Sequence, residues 1–470
     1  MKIRNEFAVD FILFMVLTSL TIVQGTSSEA AWPNLGNDLQ NSSRSTSDTS
    51  HLDGTLLWKL DTEVSNYGGG FRRIGPVIDE EGMIYFGSGN PVGIPIDGEY
   101  EGALFAVNPN GSIEWKLDIN RTTQPFRREM KIYSPAIGSD GVIYCVGSEL
   151  HSVSRQGELR WSSYQAALGL TSYAISFEEG VFVFTGGLQN LLNFVSDSGE
   201  PLWNFTFYTE GDEEIEHSHV RPAIDSEGTI YMGVDAFNAT TFRDRKGYLY
   251  AINEGQQIWR QELASEVNSV VLGDDENIYV GCDGGELYAF DKNGVERWTY
   301  DHTDSIITLS MGIDDTIYST SNNGTLMAFG SDGELKWNLN LHNETDIFAS
   351  LAVGSEGTVY AGSWHEESEH AELYAVSSDG TVLWNHTLDS MPVGGAIGSE
   401  GTLYILSKEG VLYAFGGEKI DRSWQTFLIV GIVIIGASVA VYLLFKNQRR
   451  TQQHRDESRQ RGDLESEKRV

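Results

Sequence analysis

The chain has 470 residues, of which 67 are Asp or Glu and 32 are Lys or Arg, so its formal net charge is −35. An excess of acid this large repels polyanions, because binding to DNA or RNA needs a basic surface that displaces counterions. With 40% hydrophobic residues the chain can bury a large core, and its 2 cysteines exclude a disulfide framework. We therefore expect a large folded protein that does not bind nucleic acid.

The N-terminus has the pattern of a secretory signal peptide, which we assign to residues 1–30. Lys2 and Arg4 precede an apolar run at 11–23, and small residues follow around Gly25. This order of charge, apolar run and small residues is typical of a cleaved export signal. We expect the extracytoplasmic chain to begin with a polar lead-in at 31–53.

An uncharged stretch near the C-terminus predicts a single membrane anchor. Residues 427–445 carry no charge and are long enough to cross a bilayer as a helix, with a buried core helix as the alternative. We assign the transmembrane helix to 425–445, after a juxtamembrane linker at 417–424. The tail at 446–470 has eight basic and five acidic residues. The positive-inside rule then places this disordered tail in the cytoplasm and the preceding domain outside the cell membrane.

The region between these ends consists of eight copies of one repeat. Each copy contains Gly followed four residues later by Trp, as in GVERW (294–298) and GELKW (333–337). The Trp residues are spaced by about 47 on average, which is the period of four-stranded propeller blades. Each copy also contains a short small-residue strand, an acidic turn leading into a second strand, and a third strand. The eight Trp residues are Trp58, Trp115, Trp161, Trp203, Trp259, Trp298, Trp337 and Trp384.

Alternating β-branched and aromatic residues between Gly, Asp and Asn turns indicate strands, so the repeat predicts an all-β, eight-bladed β-propeller at 54–416. A β-solenoid and two stacked sandwiches are the rival architectures. Neither explains why the first Gly-to-Trp strand, at Gly54, has no preceding partners while the last three strands, ending near Phe415, lack a fourth. Pairing them closes the ring and removes exposed sheet edges. We therefore expect an N-terminal strand to complete the last blade.

The repeats resemble those of the pyrroloquinoline-quinone-like (PQQ-like) family of β-propellers, with this chain as a membrane-anchored member. The resemblance rests on AFDKNGVERW (289–298), AVNPNGSIEW (106–115) and AFGSDGELKW (328–337), together with AWPNLGNDLQNSSRS (31–45) ahead of the first blade. It implies that the eight Trp side chains dock between adjacent blades as structural wedges. For function it is less specific, because the family includes quinoprotein dehydrogenases, assembly scaffolds and binding domains.

The sequence lacks the motifs of the enzymes that it could resemble. A quinoprotein dehydrogenase would be expected to show an adjacent Cys pair under the cofactor and a calcium site with an Asp base. Here Cys145 and Cys282 lie in the second and fifth blades, and no residue matches the family's calcium ligands. GxSxG, HExxH, P-loop and CxxC motifs are also missing from the sequence. We expect no catalytic residue and no cofactor, with a PQQ- or metal-dependent oxidoreductase as the alternative.

In a four-stranded antiparallel blade, the first-to-second and third-to-fourth turns lie at one face and the other connections at the opposite face. The first set is short and acidic, as at 79–82 and 274–277, which hairpin turns explain, with calcium binding as the alternative. The second set is long, and loops on a rigid scaffold are where binding usually occurs. We expect a protein or glycan partner at this long-loop face, whose connections are 59–74, 88–101, 116–133, 204–220, 234–247 and 363–371.

Two groups of residues in the long connections are candidates for ligand binding. A basic cluster could hold a carboxylate or an anionic glycan, although ion pairing with nearby acids is slightly favoured; it comprises Arg72, Arg73, Arg121, Arg127, Arg128 and Lys131. Four imidazoles among carboxylates are candidates for a zinc site, although a solvated polar loop is the better interpretation; they are His217, His219, His365 and His370.

Eight Asn-x-Ser/Thr sequons are candidates for glycosylation, as suits an exported glycoprotein. They are Asn41, Asn110, Asn120, Asn204, Asn238, Asn323, Asn343 and Asn385. The acidic domain outside the membrane would be repelled by anionic lipids unless dissolved salt screens its charge. We therefore expect an archaeal surface protein from saline surroundings.

Overall fold

The computed structural model describes residues 32–62, 74–89, 102–119, 132–147, 149–163, 174–178, 180–185, 191–208, 213–215, 220–238, 240–241, 243–341, 346–365 and 368–417. The regular elements in these ranges are strands, and none of the described residues belongs to a helix long and apolar enough to span a membrane. The signal peptide and the transmembrane helix expected from the sequence lie outside the described residues.

Thirty-three strands form eight separate antiparallel sheets in the described part of the chain. The first strand is β1 (Thr55–Asp61). Blade 1 contains β2 (Val77–Ile78), β3 (Ile84–Gly89), β4 (Gly102–Val107) and β5 (Ile113–Ile119). Blade 2 contains β6 (Ala136–Ile137), β7 (Ile143–Val146), β8 (Leu150–Val153) and β9 (Leu159–Ser163). Blade 3 contains β10 (Ala174–Phe177), β11 (Gly180–Thr185), β12 (Leu191–Ser196) and β13 (Pro201–Thr206). Blade 4 contains β14 (Glu213–Ile215), β15 (Ala223–Ile224), β16 (Ile230–Asn238), β17 (Arg243–Asn253) and β18 (Gln256–Leu263).

The second half of the chain repeats the pattern. Blade 5 contains β19 (Val267–Leu272), β20 (Ile278–Cys282), β21 (Glu286–Phe290) and β22 (Glu296–Asp301). Blade 6 contains β23 (Ile306–Met311), β24 (Ile317–Ser321), β25 (Thr325–Phe329) and β26 (Leu335–Asn340). Blade 7 contains β27 (Asp346–Val353), β28 (Val359–His365), β29 (His370–Val376) and β30 (Val382–Leu388). Blade 8 contains β31 (Pro392–Ile397), β32 (Leu403–Ser407) and β33 (Val411–Gly416).

The N-terminal strand closes the ring. β1 pairs antiparallel with β33, with Thr55 opposite Gly416 and Asp61 opposite Val411, and so becomes the outermost strand of blade 8. The prediction of an all-β, eight-bladed propeller closed by an N-terminal strand is confirmed. Blade 4 departs from it, because β14 adds a fifth strand to its sheet.

The hydrophobic core is divided among the interfaces between adjacent blades. Buried side chains form clusters at these interfaces; one, between blades 3 and 4, joins Phe205 and Phe207 to Tyr250. The second strands of the blades are almost continuously buried, as in β20 and β24, because both of their faces meet another blade. Burial on both faces explains why neither of these two strands contains a charged residue.

Each Trp of the repeat packs between its own blade and the next. The indole of Trp298 lies so close to Gly333 that a Cβ atom there would be 2.7 Å from the ring, and its Nε1 donates to Ser331 O (2.8 Å). Its ring centroid is 5.8 Å from that of Tyr279 in its own blade. The same donation, to a carbonyl just before the outer strand of the next blade, is made by Trp58, Trp115, Trp161, Trp259, Trp337 and Trp384, while Trp203 packs on Gly255.

Residues 32–53, from the polar lead-in, form a strap that runs around the propeller axis on the short-turn face. The strap meets the eight blades in chain order, at or near the end of each inner strand. Strap carbonyls accept 2.7–3.0 Å hydrogen bonds from the backbone amides of Ile78, Ile137, Ile224, Leu272, Met311 and Val353. Blades 3 and 8 are reached by side chains, because Asn34 Oδ1 accepts from Ser176 N (3.3 Å) and Ser47 Oγ donates to Ser399 O (3.2 Å).

Two polar side chains fasten the strap. Arg44 forms a bidentate pair with Asp274 at 2.9 and 3.0 Å, and the hydrogen bond from Arg44 holds the pKa of the Asp274 carboxyl below its usual value. Asn41 donates through Nδ2 to Val270 O (2.7 Å) and accepts through Oδ1 from Arg221 (2.6 Å). The strap is therefore bound to the blades by side chains as well as by its backbone.

Candidate functional site

Blade 4 breaks the eightfold repeat at the long-loop face. Its β16 and β17 have 9 and 11 residues, whereas the matching strands of blade 5, β20 and β21, have 5 each. The extra length lies where β16 runs into β17, and β14 pairs with it from Glu213 opposite Asn238 to Ile215 opposite Ala236. The prediction of a loop at 234–247 is wrong in its structure: the strands of a hairpin continue to Asn238 and resume at Arg243.

An arginine and three tyrosines form a cluster beside this hairpin, where blade 3 meets blade 4. The guanidinium carbon of Arg260 lies 4.9 Å from the ring centroid of Tyr248 and 5.9 Å from those of Tyr208 and Tyr250. Tyr208 O accepts hydrogen bonds from Tyr250 (2.7 Å) and from Arg260 (3.2 Å). Tyr208 is 51% exposed, so an aromatic surface backed by a cation faces solvent.

Ion pairs extend this cluster toward the projecting hairpin. Lys246 Nζ lies 2.9 Å from carboxylate oxygens of both Glu213 and Glu262, and Tyr248 donates to Glu213 (2.6 Å). Hydrogen bonds from Tyr248 and Lys246 lower the pKa of Glu213, while the bond to Glu213 raises the pKa of Lys246. These groups therefore keep their charges near neutral pH, and they fix the polar border of the aromatic surface.

Two of the four candidate zinc ligands can be placed, and both have local partners. His365 and His370 lie directly opposite each other across β28 and β29. The Nδ1 atom of His365 accepts from Ser368 N (3.1 Å), which uses the single lone pair of a neutral imidazole, and His370 Nε2 lies 3.3 Å from Glu372. Among the described residues, no three His, Cys, Asp or Glu side chains form a group that could hold a metal ion. His217 and His219 lie outside the described residues.

The basic cluster expected in the long connections, from Arg72 to Lys131, lies wholly outside the described residues. The sequons Asn120 and Asn343 lie outside them as well. Asn110, Asn204 and Asn385 are exposed, and Asn238 and Asn323 are half-buried. Asn41 is 9% exposed and its Nδ2 points at Val270 O, which leaves no room for a glycan, so the folded strap disfavours Asn41 as an attachment site.

Acidic turns of the short-turn face use one of their carboxylates to build the turn. Asp79 Oδ1 accepts from the backbone amides of Glu81 (3.0 Å) and Met83 (2.9 Å), and its Oδ2 accepts from the Tyr85 hydroxyl (2.9 Å). Asp225 repeats the arrangement in blade 4. A calcium ion at these turns would compete with hydrogen bonds that the turns already make.

The two thiols do not fit a quinone cofactor of the quinoprotein dehydrogenase type. Cys145 lies on β7 of blade 2 and Cys282 on β20 of blade 5, and both are buried. Burial raises the pKa of Cys145 to about 12, so its thiol stays protonated at neutral pH. These cysteines pack as core residues of two separate blades.

The family model described as "Outer membrane protein assembly factor BamB" matches residues 192–363 and 322–436, which together span just over half of the chain. The chain belongs to this PQQ-like family. Among curated proteins, no relative matches it significantly.

Several solved structures are similar to this chain in fold. BamB from Moraxella catarrhalis is similar at 16% identity and a TM-score of 0.52, covering 78% of this chain and 98% of that one. The computationally designed Ika8 protein is similar at 13% identity and a TM-score of 0.53, covering 76% and 100% of the two chains. The C-terminal WD40 domain of Sif2 gives 11% identity and a TM-score of 0.50, covering 77% and 98%. At these identities the likeness concerns the fold alone.

Sequence reasoning missed the cluster around Arg260. The alternation of Tyr248 and Tyr250 marked a strand, but the charged stretch RDRKG (243–247) interrupted it and indicated a loop. The register shows instead that Arg260 faces Tyr250 across the sheet. An alternation of aromatic residues that continues past a charged stretch is the signal that could have revealed the longer hairpin.

Proposed function

We propose that this chain is a non-catalytic binding propeller, held at the outer surface of a cell membrane, that engages a protein partner through its long-loop face. The family match supports a binding or scaffold role, since the matching family model is named after an outer membrane protein assembly factor. The export signal and the uncharged run at 427–445 support the location. The observation that carries the proposal is blade 4, where β14 adds a fifth strand to the sheet and the half-exposed Tyr208 lies beside it.

The surface around Tyr208 has the composition of a protein-binding hot spot. Tyr and Arg are enriched where partners pack closely, because their side chains combine a large apolar area with polar groups. Tyr208 is half exposed, while Arg260 and Glu213 are held by hydrogen bonds and ion pairs, so the surface is formed before a partner arrives. A surface formed in advance loses less conformational entropy on binding.

The test is capture of partners from the source membranes by the full-length chain, with quantitative mass spectrometry. Tyr208→Asp is compared with Leu202→Asp, which changes a similarly exposed residue (57%) near the opposite end of the outer strand of blade 3. We expect Tyr208→Asp to weaken capture of at least one protein about 10- to 100-fold, as loss of a hot-spot aromatic does. That protein should bind the purified chain directly. Equal capture by both variants would contradict the proposal.

A further inference from the structure

The strap lines one side of an open cavity on the short-turn face, opposite the long connections. The cavity has a volume of about 1120 Å³ and lies between the strap, the first turns of blades 2 and 3, and blade 8. We call it the strap basin; its walls include Gln40, Ser139, Arg155, Phe177 and Ser399. Pockets for small ligands usually measure about 300–1,000 Å³, so the basin is large enough for an oligosaccharide.

Hydrogen bonds between different elements hold the walls of the strap basin. Ser176 N donates to Asn34 Oδ1, and Ser176 Oγ donates to Ile137 O (2.7 Å), which ties the strap to blades 2 and 3. Arg155 of blade 2 lies 2.9 Å from Glu80 of blade 1. The basin is thus built by residues far apart in sequence, and its shape is set by the closed ring.

The walls of the strap basin carry charges of both signs. Four carboxylates and two guanidiniums are among the lining residues, and burial raises the pKa of one of the carboxyls, Asp38. Both guanidiniums are paired, Arg44 with Asp274 and Arg155 with Glu80. The carboxylates outnumber the guanidiniums and would repel an anionic ligand. A neutral polar ligand avoids this repulsion.

The remaining walls offer groups that suit sugar hydroxyls. Eight of the 19 lining residues have neutral amide or hydroxyl side chains. Gln40, Thr46 and Ser139 make no side-chain hydrogen bond within the described part of the chain, so they can bond to a ligand. Sugar hydroxyls both donate and accept, which matches carboxylates and amides placed side by side. The half-buried ring of Phe177 supplies an apolar wall.

From these observations we propose that the strap basin binds a neutral oligosaccharide of about three sugar units. The site lies on the face opposite the proposed protein-binding surface and does not depend on it. The strap supplies about half of the walls, so binding also requires the strap to be in place.

The experiment uses the full-length chain in nanodiscs, because detergents with sugar headgroups would compete. Maltotriose, cellotriose and triacetylchitotriose are the probes, and saturation-transfer NMR is the measurement. We expect one of them to bind with a dissociation constant between about 0.1 and 10 mM. Ser139→Trp, at an exposed turn position, should fill the basin and weaken that binding at least tenfold. The matched control Ser198→Trp, in an exposed turn away from the basin, should leave it unchanged.

Gln40→Ala provides a second variant that removes one hydrogen-bonding group without filling space. We expect it to weaken binding about threefold to tenfold, the effect of one lost hydrogen bond. The proposal is overturned if none of the three sugars binds at about 10 mM, or if Ser139→Trp and Ser198→Trp bind equally well. Preferential binding of a cation, tested with spermidine, would also overturn it.

Discussion

The buried imidazole of His151 connects the stability of the fold to pH. His151 is 5% exposed on β8, where its Nδ1 lies 2.8 Å from the Ser162 hydroxyl. Burial lowers its pKa from 6.5 to about 4, because the charged ring would lose its hydration. In the unfolded chain His151 is therefore protonated below about pH 6.5, whereas in the folded chain it stays neutral down to about pH 4. The stabilising effect is present above about pH 6.5 and is lost as pH falls.

As the pH falls from about 7 to about 5, protonation of His151 in the unfolded chain should lower the free energy of unfolding by about 2 kcal/mol. This follows from about 1.36 kcal/mol per pKa unit. Urea unfolding of the wild type and of His151→Gln at both pH values measures this. The variant should lose less stability over the interval, whatever its stability at the higher pH. Equal losses in the two proteins would show that His151 does not resist protonation.

The ion pair that fastens the strap should matter more than an exposed pair of the same kind. Arg44 is paired bidentately with Asp274 and its side chain is 20% exposed, whereas Arg297 is paired with Asp291 and is 56% exposed. We expect Arg44→Met to lower the free energy of unfolding by about 1–3 kcal/mol, because partly buried charge-assisted bonds are the stronger ones. Arg297→Met should change it by less than about 1 kcal/mol. Urea unfolding of both variants is the measurement, and equal effects would count against the strap as a stabilising element.

Among the repeated elements, the Gly-to-Trp strand sets the contact between blades. Gly333 has a φ of 84°, a left-handed conformation that residues with a Cβ adopt at a cost, and the indole of Trp298 lies against it. The pairing of Gly with the preceding blade's Trp explains why both residues recur together. Within one repeat, the spacing of four between Gly333 and Trp337 spans the end of the turn and the bulged start of β26.

We expect Gly333→Ala to lower the free energy of unfolding by about 2–3 kcal/mol, since left-handed strain and displacement of the indole add together. Gly398→Ala is the control. A Cβ there would meet its nearest neighbour, in the ring of Tyr404, at 3.3 Å, and its backbone is not left-handed. The control should lose less than about 1 kcal/mol. Similar losses at the two glycines, measured by urea unfolding, would refute the role given to the Trp contact.

The blades were predictable from the sequence because each blade repeats a local pattern. The period of the Trp residues and the orphan strand at Gly54 were enough to predict eight blades and their closure. The fifth strand of blade 4 was missed, because Glu213 and Glu214 have no apolar alternation and pair only with β16. The strap was missed for a related reason: its contacts are with eight different blades, so no local period records them.

Over the whole molecule, the net charge of −35 works against the compact state. Carboxylates crowd the short-turn face, where burial and the neighbouring Asp275 and Asp274 raise the pKa of Asp315. Salt screens such repulsion, since the Debye length falls from about 30 Å at 0.01 M to about 10 Å at 0.1 M. The fold should therefore gain stability as salt is added at low ionic strength.

We expect the urea midpoint to rise steadily between about 0.01 M and 0.3 M KCl, because screening is then the main effect of salt. Urea is required, since an ionic denaturant would supply its own screening. The same series at about pH 4, where many carboxylates are protonated, should show a smaller rise. A midpoint that does not change with salt at neutral pH would contradict this account of the charge.

The ring is closed by residues from the two ends of the described chain. Thr55 pairs with Gly416, and the strap that precedes it binds Val353 and Ser399 of the last two blades. During synthesis from the N-terminus, the strap and β1 are therefore made before the eight blades. They cannot dock fully until the eighth blade has been made. Contacts between residues so far apart in sequence slow folding. For this propeller, the last step of folding waits until β33 has been made.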